Sequence, residues 1–233
     1  MTTLLLGIIT GTVIALLLST LLANKLKNKY KKSNIRIFVY GLFGIIFLCL
    51  IVITIRRHNN SQFIQEHEIL AYLKDGDVIC RMGEKIWSPI IRDLSPYDRR
   101  FSHLGIVRIR DNIISVIHVE GLSRSRRHYV RKELLNEFLR SARSVGIYRL
   151  IDVDGSKISD MALNFIGIPF DWQFDMNDYT TLYCTQLLYA ILKEVAPEIR
   201  LNIVWLDIIN RYVIPLDIVA QTDYFLEIGY WQR

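Results

Sequence analysis

Two long uncharged stretches lie near the start of the chain, and their lengths predict helices that cross a membrane. Residues 4–23 form 20 positions without a charged side chain, and residues 37–55 form another 19. A helix of either length extends about 30 Å, which matches the hydrocarbon core of a bilayer. A cleaved signal peptide is the alternative for residues 4–23, but residues 1–3 carry no charged side chain and a second apolar stretch follows closely. The pattern therefore predicts a two-helix transmembrane anchor over residues 1–58.

The loop between these stretches is strongly basic, which predicts how the chain is oriented in the membrane. Residues 24–36 contain five lysines and one arginine, whereas the outer flanks offer only the amino terminus, Arg56 and Arg57. Short loops rich in lysine and arginine are retained in the cytoplasm. Residues 59–233 are therefore predicted to lie on the extracytoplasmic side, although Arg56 and Arg57 oppose this orientation. In a bacterium, the protein would be an integral protein of the inner membrane.

Residues 59–233 mix strand-like and helix-like patterns and predict one water-soluble domain of the α+β class. They contain no internal repeat, low-complexity tract or second linker. Asp111 and Asn112 separate two strand-like runs and so predict a β-hairpin, while residues 183–193 carry apolar side chains at helical spacing. Strands grouped near the middle of the domain, with helices before and after them, favour an antiparallel sheet with helices packed on it. The predicted strands cover residues 78–82, 102–110, 113–119 and 145–150.

The basic charge of the chain belongs to its amino-terminal segment and not to the soluble domain. Residues 1–58 hold eight of the 29 lysines and arginines and none of the 23 acidic residues. This leaves 21 basic against 23 acidic residues in 59–233, a net charge of −2. A nearly neutral domain lacks the basic surface that binding to a phosphate backbone requires. Nucleic acid is therefore excluded as a partner, and the oligomeric state stays open.

The cysteine pattern argues against a disulfide scaffold or a zinc site. Cys49 lies in the second apolar stretch, which leaves Cys80 and Cys184 in the soluble domain. Two cysteines are too few for a disulfide framework and lack the paired spacing of zinc ligands, although one disulfide stays open in an oxidising compartment. Since there is also no glycine-rich phosphate loop, the sequence predicts neither a cofactor nor a bound metal.

Three residues are candidates for a thiol-based catalytic site. Cys184 begins the predicted helix, where unpaired backbone amides and the helix dipole favour a thiolate. Folding the predicted hairpin so that Arg110 pairs with Ile113 brings Glu120 level with His103, and a carboxylate beside an imidazole orients that base. Two of them also have a plain structural interpretation, with Cys184 as an apolar position on the buried helix face and His103 as a structural histidine.

These candidates belong to a series of short motifs that occur in a fixed order along the domain. The motifs are Asp75-Gly-Asp77, Ser102-His-Leu-Gly-Ile-Val107, Glu120-Gly121 and Tyr183-Cys-Thr-Gln-Leu187. Their order resembles that of the permuted papain-like hydrolases of the YiiX and YebB type, within the wider NlpC-like superfamily, over roughly residues 73–193. In such proteins the histidine precedes the cysteine because the fold is circularly permuted. The resemblance implies this fold for residues 59–233, with Cys184 as nucleophile, His103 as general base and Glu120 as the partner that orients the base.

The chemistry implied by the resemblance is acyl transfer. The Cys184 thiolate would attack an amide or ester carbonyl, His103 would protonate the leaving group, and water or another acceptor would resolve the thioester. The backbone amide of Cys184 is the expected donor to the oxyanion. Peptides of the cell envelope and acyl lipids are the two substrate classes that stay open. A catalytically silent module, which keeps the cleft and binds an envelope ligand, is the alternative function.

Other polar residues have weaker claims to a functional role. His118 is a rival base, but we expect its side chain to face away from that of Glu120 on the same strand, which favours a surface or core role. Three aspartates lack the spacing of an EF-hand calcium site and therefore predict a solvated turn: Asp171, Asp175 and Asp178. A basic run after the hairpin is either a solvated face or a patch for anionic headgroups or an acidic substrate: Arg124, Arg126, Arg127, Arg131 and Lys132.

Overall fold

The protein divides into two units, Met1–Ser61 and Gln62–Arg233, of which the second is described almost completely. A computed structural model describes residues 64–121, 128–140 and 142–233, together with seven helical residues at 42, 44–46 and 48–50. None of the helices among these described residues is long and apolar enough to cross a bilayer. The apolar stretch 4–23 and most of 37–55 lie outside the described residues. The two-helix anchor, its boundary at residue 58 and its orientation therefore stay predictions.

A six-stranded antiparallel sheet forms the centre of the second unit. Its strands are β1 (Val78–Met82), β2 (His103–Arg110), β3 (Ile113–His118), β4 (Arg131–Leu134), β5 (Ser144–Leu150) and β8 (Phe225–Gln232). They lie in the order β4-β3-β2-β1-β5-β8. Two further strands, β6 (Val204–Leu206) and β7 (Arg211–Val213), pair with each other and with no other described strand. The predicted antiparallel sheet is confirmed.

Helices cover both faces of this sheet. They are α1 (Glu66–Ile69), α2 (Ser88–Asp93), α3 (Leu135–Phe138), α4 (Gly155–Leu163) and α5 (Cys184–Val195), with 3-10 turns at Leu70–Tyr72 and Leu216–Ala220. On one face, α4 and α5 bury apolar side chains such as Leu187 and Ile191 against Leu104 and Ile106 of β2. On the other face, Phe138 of α3 packs against the strand side chains that point to that side of the sheet, such as Val107 and Val116. Each leucine or isoleucine buried in this way contributes roughly 1.5–3 kcal/mol to stability.

The hairpin of β2 and β3 has the predicted turn and register. Asp111 and Asn112 have φ angles of 51° and 61°, the left-handed conformation that aspartate and asparagine tolerate and that two-residue hairpin turns require. Arg110 pairs with Ile113, and the same register continues to Ile106 and Ile117. The start of β2 and the end of β3 therefore meet at one end of the sheet, where His103 and His118 lie.

The Asp75-Gly76-Asp77 motif fixes the approach to β1 and does not take part in the candidate site. Gly76 has a φ of 82°, and a Cβ atom on it would come within 2.1 Å of the carbonyl oxygen of Gly155. Only glycine fits such a close backbone contact in this conformation. The buried carboxylate of Asp77 accepts two hydrogen bonds of 2.8 Å from the guanidinium of Arg149 on β5. The motif thus ties β1 to its neighbours.

Candidate active site

Cys184 is the first residue of α5, and hydrogen bonds on both sides of it fix the start of this helix. The backbone N–H of Tyr183 donates to Oε1 of Gln186 over 3.3 Å. The amide of the Gln186 side chain in turn donates to the carbonyl oxygens of Asp175 and Asp178. The Thr185 hydroxyl donates to the carbonyl of Ile214 over 2.5 Å. The two residues that follow the cysteine therefore hold the helix start in place, and the partly buried Cys184 side chain lines a cavity.

The thiol of Cys184 is protonated at neutral pH, contrary to the expectation from its position on a helix. Burial raises its pKa to about 11. The backbone amides of Leu104, Thr185 and Cys184 itself act in the opposite direction, since they lower the pKa by stabilising the thiolate. The amide donors expected at the helix start are therefore present, but desolvation of the thiolate outweighs them.

His103, the first residue of β2, is buried next to a second histidine. Its Nε2 atom lies 2.8 Å from Nδ1 of His118, and both rings contact Phe138. Burial lowers the pKa of His103 well below its ordinary value, with a further contribution from the positive charge of Arg81. Burial likewise lowers the pKa of His118 to about 4. Both rings are therefore neutral at physiological pH.

Glu133 on β4 completes a row of polar groups behind His103. Its Oε1 atom lies 2.9 Å from Nε2 of His118, although the N–H direction is poorly aligned with the oxygen. Arg131 binds the same carboxylate over 3.1 Å. Burial alone would raise the pKa of Glu133, but the interactions with His118 and Arg131 hold it at about 2. A carboxylate thus faces the far side of the histidine pair.

The structure corrects the predicted position of His118. We expected its side chain to face away from that of Glu120, but residues two apart on a strand face the same side. His118 pairs with Arg131 across β3 and β4. Glu133 lies two residues after Arg131 on the same strand, so its carboxylate reaches the His118 ring. Strand alternation in the sequence could have identified His118. No local signal points to Glu133, because the pattern of residues 131–134 does not predict a strand.

Glu120 lies in the same cavity as His103 but binds cations and not the imidazole. Its Oε1 atom is 2.6 Å from Nζ of Lys85 and 3.3 Å from the guanidinium of Arg81. No hydrogen bond joins Glu120 to His103 in the part of the chain that the structure describes, and His118 occupies the predicted place of the orienting partner. The register of the hairpin is consistent with the prediction that Glu120 lies level with His103. Nearby cations nevertheless attract the Glu120 carboxylate more strongly than a neutral imidazole can.

Cys184, His103 and Glu120 line one cavity of about 680 Å³ at the end of the sheet. Most of the other wall side chains are apolar, and they include Trp87, Ile91, Leu94, Phe170, Phe174 and Leu216. The Cys184 sulfur lies against the backbone of Leu104, which is the residue next to His103. The cavity therefore brings a thiol, a neutral imidazole and an apolar pocket together.

The remaining candidates have structural positions. Asp171 is buried, and its carboxylate accepts hydrogen bonds from the backbone N–H groups of Gln173 and Asp175, so it fixes a turn. Most of the predicted basic patch lies in residues 122–127, outside the described residues, while Arg131 is buried beside Glu133. Cys80 is a buried free thiol.

Comparisons with known proteins agree with this architecture. A solved structure described as that of the metalloprotein YiiX from Escherichia coli O157:H7 superposes with a TM-score of 0.58 at 14% sequence identity, covering 69% of this chain and 98% of that one. In the described part of this chain, no group of three or more histidine, cysteine, aspartate or glutamate side chains is arranged to hold a metal ion. The search of curated proteins found no match. Residues 72–203, more than half of the chain, match the permuted papain-like amidase enzymes of the YaeF/YiiX type, the C92 family, and the protein therefore belongs to that family.

Proposed function

We propose that this protein is a membrane-anchored cysteine hydrolase or acyltransferase that cleaves amide or ester bonds, with Cys184 as nucleophile and His103 as general base. The row of contacts from His103 through His118 to Glu133 supports this proposal most directly. His103 begins this row and lines the same cavity as Cys184. The membership in an amidase family supports hydrolysis in general. The residue roles are our proposal.

The row of contacts would fix the protonation state of the base. A carboxylate only accepts hydrogen bonds, so Nε2 of His118, 2.9 Å from Glu133, would carry a proton once a small ring rotation aligns the N–H with the oxygen. In a neutral ring, Nδ1 of His118 is then an acceptor, and Nε2 of His103 must donate to it over 2.8 Å. The lone pair of neutral His103 is therefore on Nδ1. This atom has no hydrogen bond to any described residue and is free to take the thiol proton.

The reaction would begin with a neutral pair and not with a preformed thiolate. As the sulfur of Cys184 attacks the carbonyl carbon, its proton passes to Nδ1 of His103, and the carbonyl oxygen takes the negative charge near the backbone amide of Cys184. The imidazolium then gives this proton to the leaving nitrogen or oxygen, and a thioester remains. Water or another acceptor attacks the thioester while His103 takes its proton, and the thiol is restored. Glu133 would stabilise the imidazolium formed in each step through His118.

Glu120 stays a proposed site residue with a changed role. Its carboxylate offsets the charges of Lys85 and Arg81 at 2.6 and 3.3 Å. Without it, these cations would disfavour the imidazolium of His103, whose pKa Arg81 already lowers. We propose that Glu120 supports the base through these cations and does not orient it directly.

The lining of the cavity favours an acyl chain over a polar peptide as the group bound beside Cys184. Aromatic and aliphatic side chains such as Phe170, Phe174 and Leu216 form most of its wall, and burying each CH₂ group of a ligand contributes about 0.8 kcal/mol. An envelope peptide is the second candidate, supported by the charged groups of Arg81 and Glu120 at one side of the cavity. The predicted anchor supports a substrate in or near the membrane, and the basic loop 24–36 supports an extracytoplasmic site.

A silent binding module is the alternative, and the raised pKa of the Cys184 thiol is the observation that favours it. Turnover of p-nitrophenyl esters and N-acyl amides with chains of 4, 8 and 12 carbons separates the two functions. We expect turnover that rises with chain length, that Cys184→Ala abolishes, and that His103→Ala lowers by about 10²–10⁴-fold. Cys49→Ser is the matched control and should retain full activity. Binding of the 12-carbon ligands without turnover would instead support the binding module.

A further inference from the structure

The hairpin of β6 and β7 carries apolar side chains on both faces. On one face, Leu206 and Val213 line the cavity that contains Cys184. On the other face, Trp205 and Tyr212 stack with ring centroids 4.9 Å apart and are 46% and 59% exposed. A two-stranded hairpin that pairs with no other strand is only marginally stable in water. The second face is therefore only partly buried, beside a separate pocket that Asp175, Met176 and Asn177 also line.

Further exposed apolar side chains surround the mouth of the same cavity. Ile208, at the tip of the hairpin, is 76% exposed, and Ile90 and Trp172 are more than half exposed although all three line the cavity. Ile86 is 87% exposed and lies between two lining residues, Lys85 and Trp87. We call this set the apolar rim: Ile86, Ile90, Trp172 and Ile208. Exposed apolar residues grouped around one opening indicate an interaction site.

The chain enters this unit at the end of the sheet where the cavity opens. The N–H of Ile64 donates to the carbonyl of Ala142 over 2.9 Å, and the N–H of Arg143 donates to the carbonyl of Met82. Met82 ends β1 directly before the loop that contains Ile86. Only residues 56–63 separate Ile64 from the second apolar stretch of the sequence, and eight extended residues reach at most about 30 Å. A bilayer crossed by that stretch would therefore be within reach of this end of the sheet.

We propose that the apolar rim docks onto a lipid bilayer, with the side chains at its tip among the headgroups and upper acyl chains. Tryptophan and tyrosine are the side chains favoured at the membrane interface, where one end of the ring is apolar and the other is wet. Trp172 provides one at the rim, and Trp205 and Tyr212 lie on the outer face of the adjoining hairpin. Docking at the rim opens the cavity toward lipid instead of water. It does not require catalysis, but together with the proposed function it gives an acyl chain a direct path to Cys184.

Depth-dependent fluorescence quenching tests the docking in the full chain. Ile208→Cys, in a background of Cys49→Ser and Cys184→Ala, is labelled with the environment-sensitive dye NBD, while Cys80 stays buried and unlabelled. The protein is placed in nanodiscs of phosphatidylcholine and phosphatidylglycerol that contain a lipid spin-labelled near the headgroup. The matched control is Ile113→Cys, which is 57% exposed at the opposite end of the sheet.

We expect the label at position 208 to be quenched at least about threefold more than the label at 113, with a blue-shifted emission. A label at Ile86→Cys should behave like that at 208. Equal quenching at 208 and 113, or failure of the chain to associate with lipid, would overturn the proposal. Because every variant lacks the Cys184 thiol, the result is independent of whether the proposed chemistry is correct.

Discussion

The raised pKa of the Cys184 thiol predicts an unusual reactivity toward small alkylating reagents. An unperturbed cysteine has a pKa of about 8.5, so about a quarter of it is thiolate at pH 8. With a pKa of about 11, only about one Cys184 in a thousand is ionised at this pH. Since the thiolate is the reacting form, alkylation by iodoacetamide should be about two hundredfold slower than for a free thiol. The rate should then rise about tenfold for each pH unit between 8 and 10.

The assay is residue-specific mass spectrometry of the peptide that contains Cys184 after timed alkylation at each pH. The same protein in 8 M urea provides the control, because unfolding removes the burial and should restore the rate of an ordinary thiol. A rate that levels off below pH 8 would show a preformed thiolate and refute the neutral-pair mechanism.

Three further outcomes follow from the structure. Burial holds the pKa of His118 at about 4, so the unfolded chain takes up a proton first as the pH falls, and this ring should account for about 3 kcal/mol of the stability lost in urea unfolding between pH 6.5 and 4. The buried ring of His103 adds to the loss, so His118→Gln should reduce the loss by about 3 kcal/mol and not abolish it. Glu133→Gln should lower kcat roughly tenfold with little change in KM, because an amide no longer dictates which nitrogen of His118 is protonated, and an unchanged kcat would count against the row of contacts. Gly76→Ala should cost roughly 3 kcal/mol in the same unfolding assay, whereas Gly167→Ala, with a φ of 95° but no atom within 4 Å of the added Cβ, should cost roughly 1 kcal/mol.

The sequence predicted those parts of the site that depend on local patterns. Asp111 and Asn112 fix the turn and therefore the register of β2 and β3, so His103 could be placed at the end of the sheet. Cys184 could be placed at a helix start because the apolar spacing of α5 and the residues before it are local signals as well. These predictions needed no knowledge of which distant segments meet.

The parts that were missed depend on contacts between distant segments. Glu133 reaches His118 only because β4 pairs with β3, and the short strand β4 has no strong pattern of its own. The pKa of Cys184 follows from its burial against Leu104 and the cavity wall, which outweighs the amides of the helix start. The binding of Glu120 to Lys85 and Arg81 likewise follows from β1 and β3 both ending at the same end of the sheet, with β2 between them.

Detection of a thioester on Cys184 tests the central proposal most directly. The protein would be mixed with a 12-carbon p-nitrophenyl ester, quenched with acid within the first turnover and digested for mass spectrometry. We predict an added acyl group on the peptide that contains Cys184, its release by neutral hydroxylamine, and its longer lifetime in His103→Ala because deacylation lacks its base. Turnover with no acyl group on Cys184, or turnover that persists in Cys184→Ala, would contradict the assignment of this thiol as the nucleophile.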